Sequence, residues 1–379
     1  MKKIYTFFTI FAIILHFSIF GFCEKITHAA KNKEDYAEAM VTMEVSTGRV
    51  LYERNKDKKL PMASTTKILT AVVAIENCDD LDEVFEISKE AVGIEGSSMY
   101  LRKGDCFSMR ELLYGLMLRS GNDAAVAIAV KVSGSVEKFV ELMNLYCKNI
   151  GAENTNIVTV NGLHHDKHFT TAFDLAKISA YALKNETFAE IVSSKEKVIQ
   201  KRNDKTNKCQ LLKNKNKLLS RFDGANGVKT GYTTKAGKCF VGSATRNDMQ
   251  VVCVLLNSKT MFDKCEEFLN RAFNEFKMVK LFKKGGLCED YSENEKSQKR
   301  PIIIKKDIIY PLKYEELCKI NAKVNLLKNS KNLRIGDFEI GELCVYIENN
   351  LIFSEKIYTI ITEKKNSFGD CLNRIIRVF

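Results

Sequence analysis

The stretch Pro61-Met-Ala-Ser-Thr-Thr-Lys-Ile-Leu-Thr-Ala-Val-Val-Ala-Ile-Glu76 decides the fold of the N-terminal part of the chain. Apolar residues occupy nearly every position from Ile68 to Ile75, and this pattern predicts a helix that begins near Ser64 and is buried on most sides. Ser64 and Lys67 are three residues apart, so their side chains lie on the same face of that helix. The stretch therefore predicts a buried helix whose first turn carries a hydroxyl and an amine.

This pair of side chains has the composition of an activated nucleophile. A serine hydroxyl is weak unless a neighbouring base removes its proton. The positive end of the helix dipole opposes the ammonium form of Lys67, and burial acts in the same direction. A neutral Lys67 can therefore accept the proton of Ser64. A Ser-x-x-Lys pair alone is common by chance, and its simplest interpretation is a helix cap followed by a surface lysine.

The region up to residue 280 combines strand patterns with helical patterns. Residues 39–54 form two apolar-rich runs around a glycine-containing turn, which is typical of a β-hairpin. A second pair of strand patterns occurs at 239–245 and 250–256, and helical patterns occur at 108–131, 135–149, 171–184 and 262–276. This order predicts an α+β fold, in which strands from both ends of a domain at 35–280 form one antiparallel sheet around an inserted helical cluster.

From about residue 281 the pattern changes to short strands. The runs at 302–304, 320–326 and 341–353 predict a small β-rich domain at 281–362, with no clustered chemistry. In the tail at 363–379, the apolar positions 368, 371, 372, 375, 376 and 379 have helical spacing and the opposite face carries two arginines. We predict an amphipathic helix at 368–379 that lies in a lipid interface. The alternative is a helix that packs on the β-rich domain.

Composition and the N-terminus restrict the location and the partners. The chain has 379 residues, 45% of them hydrophobic, which excludes wholesale disorder and suggests two domains. Residues 1–23 combine Lys2 and Lys3 with an apolar run and predict a secretory signal peptide, although a retained membrane anchor is the alternative. The net charge of +12 comes from scattered lysines without interleaved aromatic residues, so nucleic acid is a poor candidate partner.

The twelve cysteines do not form a recognisable metal or redox pattern. Successive cysteines are never closer than Cys253 and Cys265, so a Cys-x-x-Cys pair for zinc or thiol exchange is absent from the sequence. Several lie in apolar runs, where a cysteine behaves as a small hydrophobic residue. We expect most of them to be free and buried.

Two further motifs give the Ser-x-x-Lys pair its specificity. Ser120-Gly-Asn122 interrupts two helical patterns, and Lys229-Thr-Gly231 opens the strand-rich region. Each alone is an ordinary turn sequence. Together, in this order, the three motifs form the signature of penicillin-binding proteins and class A β-lactamases.

At these motifs the chain resembles the D-alanyl-D-alanine carboxypeptidases, the serine-type penicillin-binding proteins of low molecular mass. The resemblance extends to Thr47-Gly-Arg-Val-Leu-Tyr52, Asn161-Gly-Leu163 and Gly227-Val-Lys-Thr-Gly-Tyr-Thr233. It implies a β-lactamase/transpeptidase-like catalytic domain, a small β domain and a terminal membrane helix. Two departures are Glu44, where the family often has Asp, and Lys264, where an Arg is common.

The resemblance implies a serine acyl-transfer mechanism without a metal or cofactor. Ser64 is expected to attack the carbonyl of the D-Ala-D-Ala peptide bond and Lys67 to act as the general base. Ser120 is expected to pass the proton to the leaving amine.

The remaining motif residues are expected to bind the substrate. The resemblance implies that Asn122 holds the substrate amide, and that Lys229 and Thr230 receive its terminal carboxylate. Gly231 would admit the substrate strand, and the N–H groups of Ser64 and Tyr232 would form the oxyanion hole. The implied partners are peptidoglycan pentapeptide stems, β-lactams as covalent inhibitors and a membrane surface, with an exported location at the outer face of the cytoplasmic membrane or in the cell wall.

Several alternatives stay open from the sequence. A class A β-lactamase needs a Glu-x-x-x-Asn element, which the interval 123–228 lacks. A metal peptidase is suggested by His164, His165, Asp166 and His168, although consecutive residues rarely converge on one ion. A silent wall-binding or penicillin-sensing module would keep the fold without turnover. Endopeptidase and transpeptidase activities share the same acyl-enzyme and differ only in the acceptor.

Overall fold

The computed structural model describes residues 37–202, 208–291, 300–327 and 336–361. The predicted signal peptide at 1–23 and the predicted amphipathic tail at 363–379 lie outside these residues. Within the described part, no helix combines the length and apolar character needed to cross a membrane.

A five-stranded antiparallel sheet forms the centre of the N-terminal region. Two of its strands, β1 (Ala39–Glu44) and β2 (Val50–Arg54), come from the start of the region. The other three come from its end. The described strands continue with β3 (Val84–Glu86), β4 (Cys106–Ser108), β5 (Glu196–Lys201), β6 (Lys208–Lys213), β7 (Ala225–Thr233), β8 (Gly237–Arg246) and β9 (Met249–Leu256). The sheet order is β2-β1-β9-β8-β7, whereas β3–β4 and β5–β6 form separate two-stranded pairs. As predicted, the first and last strands of the region share one sheet.

Helices cover both faces of this sheet. They are α1 (Lys67–Glu76), α2 (Met109–Tyr114), α3 (Asn122–Ser133), α4 (Val136–Ile150), α5 (Ala172–Leu183), α6 (Glu186–Ser193), α7 (Leu218–Arg221) and α8 (Met261–Glu275). Alternate side chains of the strands divide the core in two. Val241 and Val254 join the core formed with α1 to α6, whereas Phe240, Cys253 and Leu255 join the core formed with α8. The predicted α+β class is therefore confirmed.

Helix α1 lies at the centre of the larger core. Ile68, Val72 and Val73 are fully buried, as the nearly continuous apolar run requires. The α-helix begins at Lys67, and a single 3₁₀ turn, Ala63–Thr66, precedes it. In this turn the hydroxyls of Thr65 and Thr66 donate to the carbonyls of the residues three positions earlier, at 2.6 and 2.8 Å. Ser64 therefore lies in a tight turn beside the helix rather than within its regular part.

The C-terminal region is built from strands. They are β10 (Lys277–Phe282), β11 (Gly285–Tyr291), β12 (Arg300–Ile304), β13 (Ile308–Leu312), β14 (Ile320–Leu326), β15 (Gly336–Ile347) and β16 (Asn350–Ile361). One sheet has the order β11-β12-β16-β15-β14, and β10 pairs with β13. Their inner faces enclose a separate apolar core that includes Ile304, Leu343, Val345 and Ile357.

Arg49 joins the N-terminal region to the β-rich region. It follows the turn between β1 and β2, and its guanidinium forms an ion pair with Glu316 at 2.5 Å. A second guanidinium nitrogen donates to the carbonyl of Pro311. The charge also lies over the rings of Phe276 and Tyr310, at 5.1 and 5.2 Å from their centroids. Both partners of the ion pair are largely shielded from solvent, so this contact fixes the first hairpin against the β-rich region.

The structure describes the side chains of nine of the twelve cysteines. All nine are free thiols, as predicted, and five of them are buried: Cys147, Cys239, Cys253, Cys265 and Cys344.

Candidate active site

Ser64 occupies a turn that is held from behind by a buried chain of hydrogen bonds. The backbone N–H of Val158 donates to His168 Nδ1 at 3.0 Å, so the ring proton lies on Nε2, which is 2.8 Å from Thr66 Oγ1. The Thr66 hydroxyl donates in turn to the carbonyl of Ala63. Burial, and then the neighbouring His165 and His164, lower the pKa of His168 to about 4. His168 is therefore a neutral structural support for the turn Ala63–Thr66, which we call the serine turn.

Lys67 is directed at Ser64 by two strong acceptors. Its Nζ lies 3.0 Å from Ser64 Oγ, 2.6 Å from Asn122 Oδ1 and 2.6 Å from the carbonyl oxygen of Asn161. The side chain is fully buried. Burial lowers the pKa of Lys67 well below its ordinary value of 10.5, and the positive charges of Lys229 and Lys215 lower it further. This environment favours the neutral amine that a general base requires.

The Ser120 motif lies beside Lys67 on a strained segment. A π-helical turn, Gly115–Arg119, follows α2, and Ser120 is buried in the left-handed region at φ 64°. This conformation is costly for a residue other than glycine and is concentrated at functional sites. It ends one helix and lets α3 begin at Asn122, which places the Asn122 amide next to Lys67.

A loop at 95–101 forms the wall behind Asn122. The side-chain amide of Asn122 donates to the carbonyl of Glu95 at 2.6 Å, and its backbone N–H donates to the carbonyl of Ser97 at 2.7 Å. The carboxylate of Asp123 accepts from the Ser98 hydroxyl and from the backbone N–H groups of Met99 and Leu101, at 2.6 to 3.1 Å. The motif Ser120-Gly-Asn122 is thus fixed by a loop that the sequence did not identify.

The third motif lies on β7, on the opposite side of Ser64. Lys229 is buried, and its Nζ donates to the carbonyl of Thr230 at 3.2 Å. Burial and the charge of Lys215 lower the pKa of Lys229 to about 7. Thr230 is partly exposed and the Tyr232 side chain is 66% exposed, so this part of β7 borders solvent. The strand therefore presents one buried cation and an accessible backbone edge.

Lys215 is a third lysine of the site that the sequence analysis missed. Its Nζ donates to the Ser97 hydroxyl at 3.1 Å, and its backbone N–H donates to the carbonyl of Leu118 at 3.3 Å. These contacts hold it near both the 95–101 loop and the Ser120 motif. Its positive charge lowers the pKa values of both Lys67 and Lys229. No motif marks Lys215, because it reaches the site through contacts distant in the sequence.

Two glycines let the backbone approach the serine turn. A Cβ atom added to Gly231 would lie 2.9 Å from the backbone N of Ser64, so only glycine allows β7 this close to the nucleophile. A Cβ added to Gly162 would lie 2.0 Å from the carbonyl oxygen of Ala63, and Gly162 also has φ +82°. The serine turn is thus enclosed by backbone on two sides.

Comparisons with known proteins agree with this arrangement. The family model for D-alanyl-D-alanine carboxypeptidase, Peptidase_S11, matches residues 26–260, and a model for the C-terminal domain of penicillin-binding protein 5 matches residues 276–365.

The chain belongs to the D-alanyl-D-alanine carboxypeptidase family.

Individual relatives are consistent with the family match. The chain is 28% identical to the D-alanyl-D-alanine carboxypeptidase DacF of Bacillus subtilis over 384 residues, covering 99% of this chain and 98% of that protein. It is 37% identical over 233 residues to the D-alanyl-D-alanine carboxypeptidase of Streptomyces sp. K15, covering 58% of this chain and 80% of that protein. Penicillin-binding protein 5 from Haemophilus influenzae has a similar structure, with a TM-score of 0.73 and 26% identity over 88% of this chain and 99% of that one. The enzyme class and function predicted from the sequence are confirmed: the protein is a serine-type D-Ala-D-Ala carboxypeptidase.

The two departures of the carboxypeptidase from its family pattern lie outside the cluster around Ser64. Glu44 is buried at the end of β1, where its carboxylate accepts from the backbone N–H groups of Ser46 and Thr47 at 2.9 and 2.8 Å. Lys264 is on α8 and pairs with Glu267 at 2.8 Å. The core of α8 packs against the sheet face away from the helical cluster. Glu44 therefore caps the first hairpin, and Lys264 is occupied on its own helix.

The histidine cluster of the carboxypeptidase has structural contacts in place of a metal-binding arrangement. Both ring nitrogens of His168 are engaged by Val158 and Thr66. His164 Nε2 lies 3.3 Å from Asp166, and His165 Nδ1 accepts from the backbone of Lys167. Across the described part of the chain, no three His, Cys, Asp or Glu side chains converge in a way that could hold an ion. The contacts of His168 favour support of the serine turn.

Replacing Gly162 with Ala should disrupt the serine turn of the carboxypeptidase. We expect Gly162→Ala to lower the free energy of unfolding by about 3 kcal/mol, because the left-handed conformation costs about 1 kcal/mol and the clash with Ala63 adds to it. The rate of labelling by penicillin should fall as well. Gly134→Ala is the matched control, since Gly134 has φ +78° and open space around it. Chemical unfolding measures the loss of stability, and penicillin labelling measures the loss of reactivity. An equal loss of stability in the two variants would contradict the proposed clash.

Proposed function

We propose that the carboxypeptidase removes the terminal D-alanine of peptidoglycan pentapeptide stems through an acyl-enzyme on Ser64. The observation that carries this proposal is the 3.0 Å contact between Lys67 Nζ and Ser64 Oγ, with the amine fully buried. Ser64 Oγ attacks the carbonyl carbon of the D-Ala-D-Ala peptide bond while its proton passes to neutral Lys67. A tetrahedral intermediate forms, and its collapse leaves the acyl group on Ser64.

The electrostatics of the site support Lys67 as the general base. A base must be unprotonated to accept the serine proton, and a free lysine is protonated at neutral pH. Burial is the largest cause of the lowered pKa of Lys67, followed by the charge of Lys229. Asn122 Oδ1 and the Asn161 carbonyl fix the amine toward Ser64. The lone pair is thus positioned at the hydroxyl before substrate arrives.

Ser120 and Asn122 act on the leaving group and on the bound peptide. The family resemblance assigns Ser120 the role of returning the proton from Lys67 to the nitrogen of the departing D-alanine, as general acid catalysis requires. In the free enzyme the Asn122 amide is committed to Lys67 and Glu95. Asn122 therefore positions the base first, and its contact with the substrate amide uses the remaining hydrogen-bonding capacity of the side chain.

The β7 strand binds the end of the substrate. Lys229 supplies the cation for the terminal carboxylate, and the Thr230 hydroxyl supplies a second donor at the accessible edge of the strand. Because Gly231 lets β7 approach Ser64, the backbone N–H groups of Ser64 and Tyr232 can face the same carbonyl oxygen. Two such donors stabilise the charge of the tetrahedral intermediate.

Water completes the cycle and restores Ser64. A β-lactam carries the same kind of reactive carbonyl, so it acylates Ser64 and inhibits the enzyme covalently. The predicted signal peptide and the basic composition support a location outside the cytoplasm, at the membrane or cell wall where the proposed substrate occurs. The predicted tail at 368–379 would hold it at a membrane surface.

The direct test is release of D-alanine from a muramyl pentapeptide, with mass spectrometry of the second product. A tetrapeptide product supports carboxypeptidation, whereas joined or cleaved cross-linked peptides would assign transpeptidase or endopeptidase activity. Rapid release of hydrolysed penicillin in place of a stable acyl-enzyme would contradict the proposal and favour a β-lactamase.

The pH profile should depend on Lys215. Since Lys67 must be neutral, kcat/KM should rise as pH increases through its lowered pKa, and it should fall as Lys229 loses its proton near its pKa of about 7. Lys215→Met removes a positive charge that lowers both pKa values, so both limbs of the profile should move to higher pH. Lys215→Arg keeps the charge and should retain the original profile. The measurement is kcat/KM from pH 5 to 10 for the wild type and both variants. A pH profile of Lys215→Met identical to that of the wild type would refute the electrostatic role of Lys215.

A further inference from the structure

The hairpin formed by β5 and β6 carries a large share of the positive charge of the chain. Residues 195–202 and 208–217, which include its two strands, contain eight Lys and Arg and one acidic residue, Glu196. Their net charge is +7, whereas the whole chain has +12. Lysines are scattered along the rest of the sequence among acidic residues, but here they are concentrated. Such a concentration repels itself in the folded protein and attracts anions.

Several of these lysines have no acidic partner. Lys201 and Arg202 are neutralised by Asp105 and Glu111, at 2.6 Å in both pairs. In contrast, five exposed lysines form no ion pair with any residue that the structure describes: Lys195, Lys208, Lys213, Lys215 and Lys217. The register also places Lys208 directly opposite Lys201, and like charges in opposite positions destabilise a strand pair. The hairpin therefore keeps positive charge at its surface at a cost to its own stability.

The outward face of the hairpin also carries an apolar pair. Val198 and Leu211 are directly opposite each other, and they are 58% and 48% exposed. The alternate positions Ile199 and Leu212 are buried, so it is the other face that packs on the domain. Lys213 is two residues from Leu211 and therefore shares its outward face. This face combines a cation with a small exposed apolar area.

The hairpin leads directly into the active site. Two residues after β6 ends at Lys213, the Nζ of Lys215 donates to the Ser97 hydroxyl at 3.1 Å. The carbonyl of Ser97 accepts from the backbone N–H of Asn122, whose side chain contacts the Lys67 amine. Two residues of extended chain span about 7 Å. A polymer with one segment bound beside Ser64 thus lies close to the cations of the hairpin.

We propose that the outward face of the β5–β6 hairpin binds a second peptide stem of the same peptidoglycan polymer while the first stem occupies the site at Ser64. This inference rests on the proposed function. A stem that ends in D-Ala-D-Ala presents a carboxylate and methyl groups, which match the unpaired lysines and the pair Val198 and Leu211. One exposed lysine contributes little to binding, but linked stems make several such contacts at once. Polymeric substrate is therefore favoured over a single stem.

Kinetics on two substrates test this proposal. The hairpin variant Lys195→Gln, Lys208→Gln, Lys213→Gln removes three charges outside the catalytic cluster. The control variant Lys138→Gln, Lys148→Gln, Lys184→Gln removes three exposed charges on α4 and at the end of α5. On soluble peptidoglycan chains that carry pentapeptide stems, we expect kcat/KM of the hairpin variant to fall roughly 5- to 20-fold, mainly through KM. On a single muramyl pentapeptide it should stay within about twofold of the wild type.

The control variant should stay within about twofold of the wild type on both substrates, and penicillin labelling checks that all proteins are folded. Added salt should remove the preference of the wild type for the polymer. Equal losses of the hairpin variant on polymer and single stem overturn the proposal, as do equal losses in the two triple variants. Competition by poly(glycerol phosphate) but not by stem-bearing peptidoglycan also overturns it, because the hairpin would then bind a phosphate polymer.

A binding measurement separates this proposal from the proposed function. Ser64→Ala, which cannot form an acyl-enzyme, is sedimented with insoluble peptidoglycan that carries pentapeptide stems. Adding the three hairpin substitutions to Ser64→Ala should weaken this binding roughly 5- to 20-fold, whereas adding the three control substitutions should not. Unchanged binding overturns the hairpin contact. Absence of D-alanine release by the wild type from either substrate, together with hairpin-dependent binding, would instead refute the proposed function.

Discussion

Replacement of Ser64 by Ala is expected to abolish both D-alanine release and covalent labelling by penicillin. The fall in kcat/KM should be roughly 10⁴- to 10⁶-fold, the range seen when a catalytic nucleophile is removed. The reason is chemical: without the hydroxyl no acyl-enzyme can form, although the neighbouring donors still bind substrate. The fold should be retained, because the turn is held by Thr65, Thr66 and His168 rather than by the Ser64 side chain.

The measurement combines a D-alanine assay with mass spectrometry of penicillin-treated protein. Ser193→Ala is the control, since this serine lies at the exposed end of α6, and it should label like the wild type. Labelling of Ser64→Ala at the wild-type rate would contradict the assignment. It would mean that another hydroxyl, with Ser120 the nearest candidate in the motifs, attacks the β-lactam.

Most of the fold could be predicted because its elements have local signals. An unbroken apolar run predicts α1, and helical spacing of apolar residues predicts α4 and α5. Paired strand patterns predict the hairpins β1–β2 and β8–β9. The exact start of α1 could not be predicted. The 3₁₀ turn that precedes it packs closely against the backbone at Gly231 and Gly162, and these contacts connect residues far apart in the sequence.

The candidate site likewise combines residues that the sequence predicts with residues that it does not. The three motifs were recognisable because each places its reactive groups within three residues of one another. Lys215, His168 and the carbonyl of Asn161 carry no such local signal. They act through burial, charge and hydrogen bonds set by the tertiary fold. The motifs therefore identify the chemistry, whereas the supporting groups that tune it become visible only in three dimensions.

Replacement of Lys67 by Met is expected to lower the rate of acylation by roughly 10²- to 10⁴-fold, the usual contribution of a general base. The Ser64 hydroxyl remains, so a slow residual reaction distinguishes this variant from Ser64→Ala. Lys67→Arg should be as impaired as Lys67→Met, because a guanidinium keeps its proton at any accessible pH. Lys148→Met, on the exposed face of α4, is the control and should react normally. Stopped-flow acylation by a chromogenic β-lactam measures all four, and substantial activity in Lys67→Arg would show that Lys67 serves only as a cation.

The variant Lys67→Met also tests whether the Lys67 amine is neutral in the folded protein. Burial lowers the pKa of Lys67 below its ordinary value of 10.5, so between the lowered pKa and 10.5 the unfolded chain binds a proton that the native protein does not. In that window the free energy of unfolding contributed by Lys67 must increase with pH. Lys67→Met lacks this contribution to the free energy of unfolding. The stability of the wild type relative to the variant should therefore rise as pH is raised toward 10. Chemical unfolding of both proteins at a series of pH values gives the difference, and a difference that is constant or falls with pH would mean that Lys67 stays protonated and cannot be the resting base.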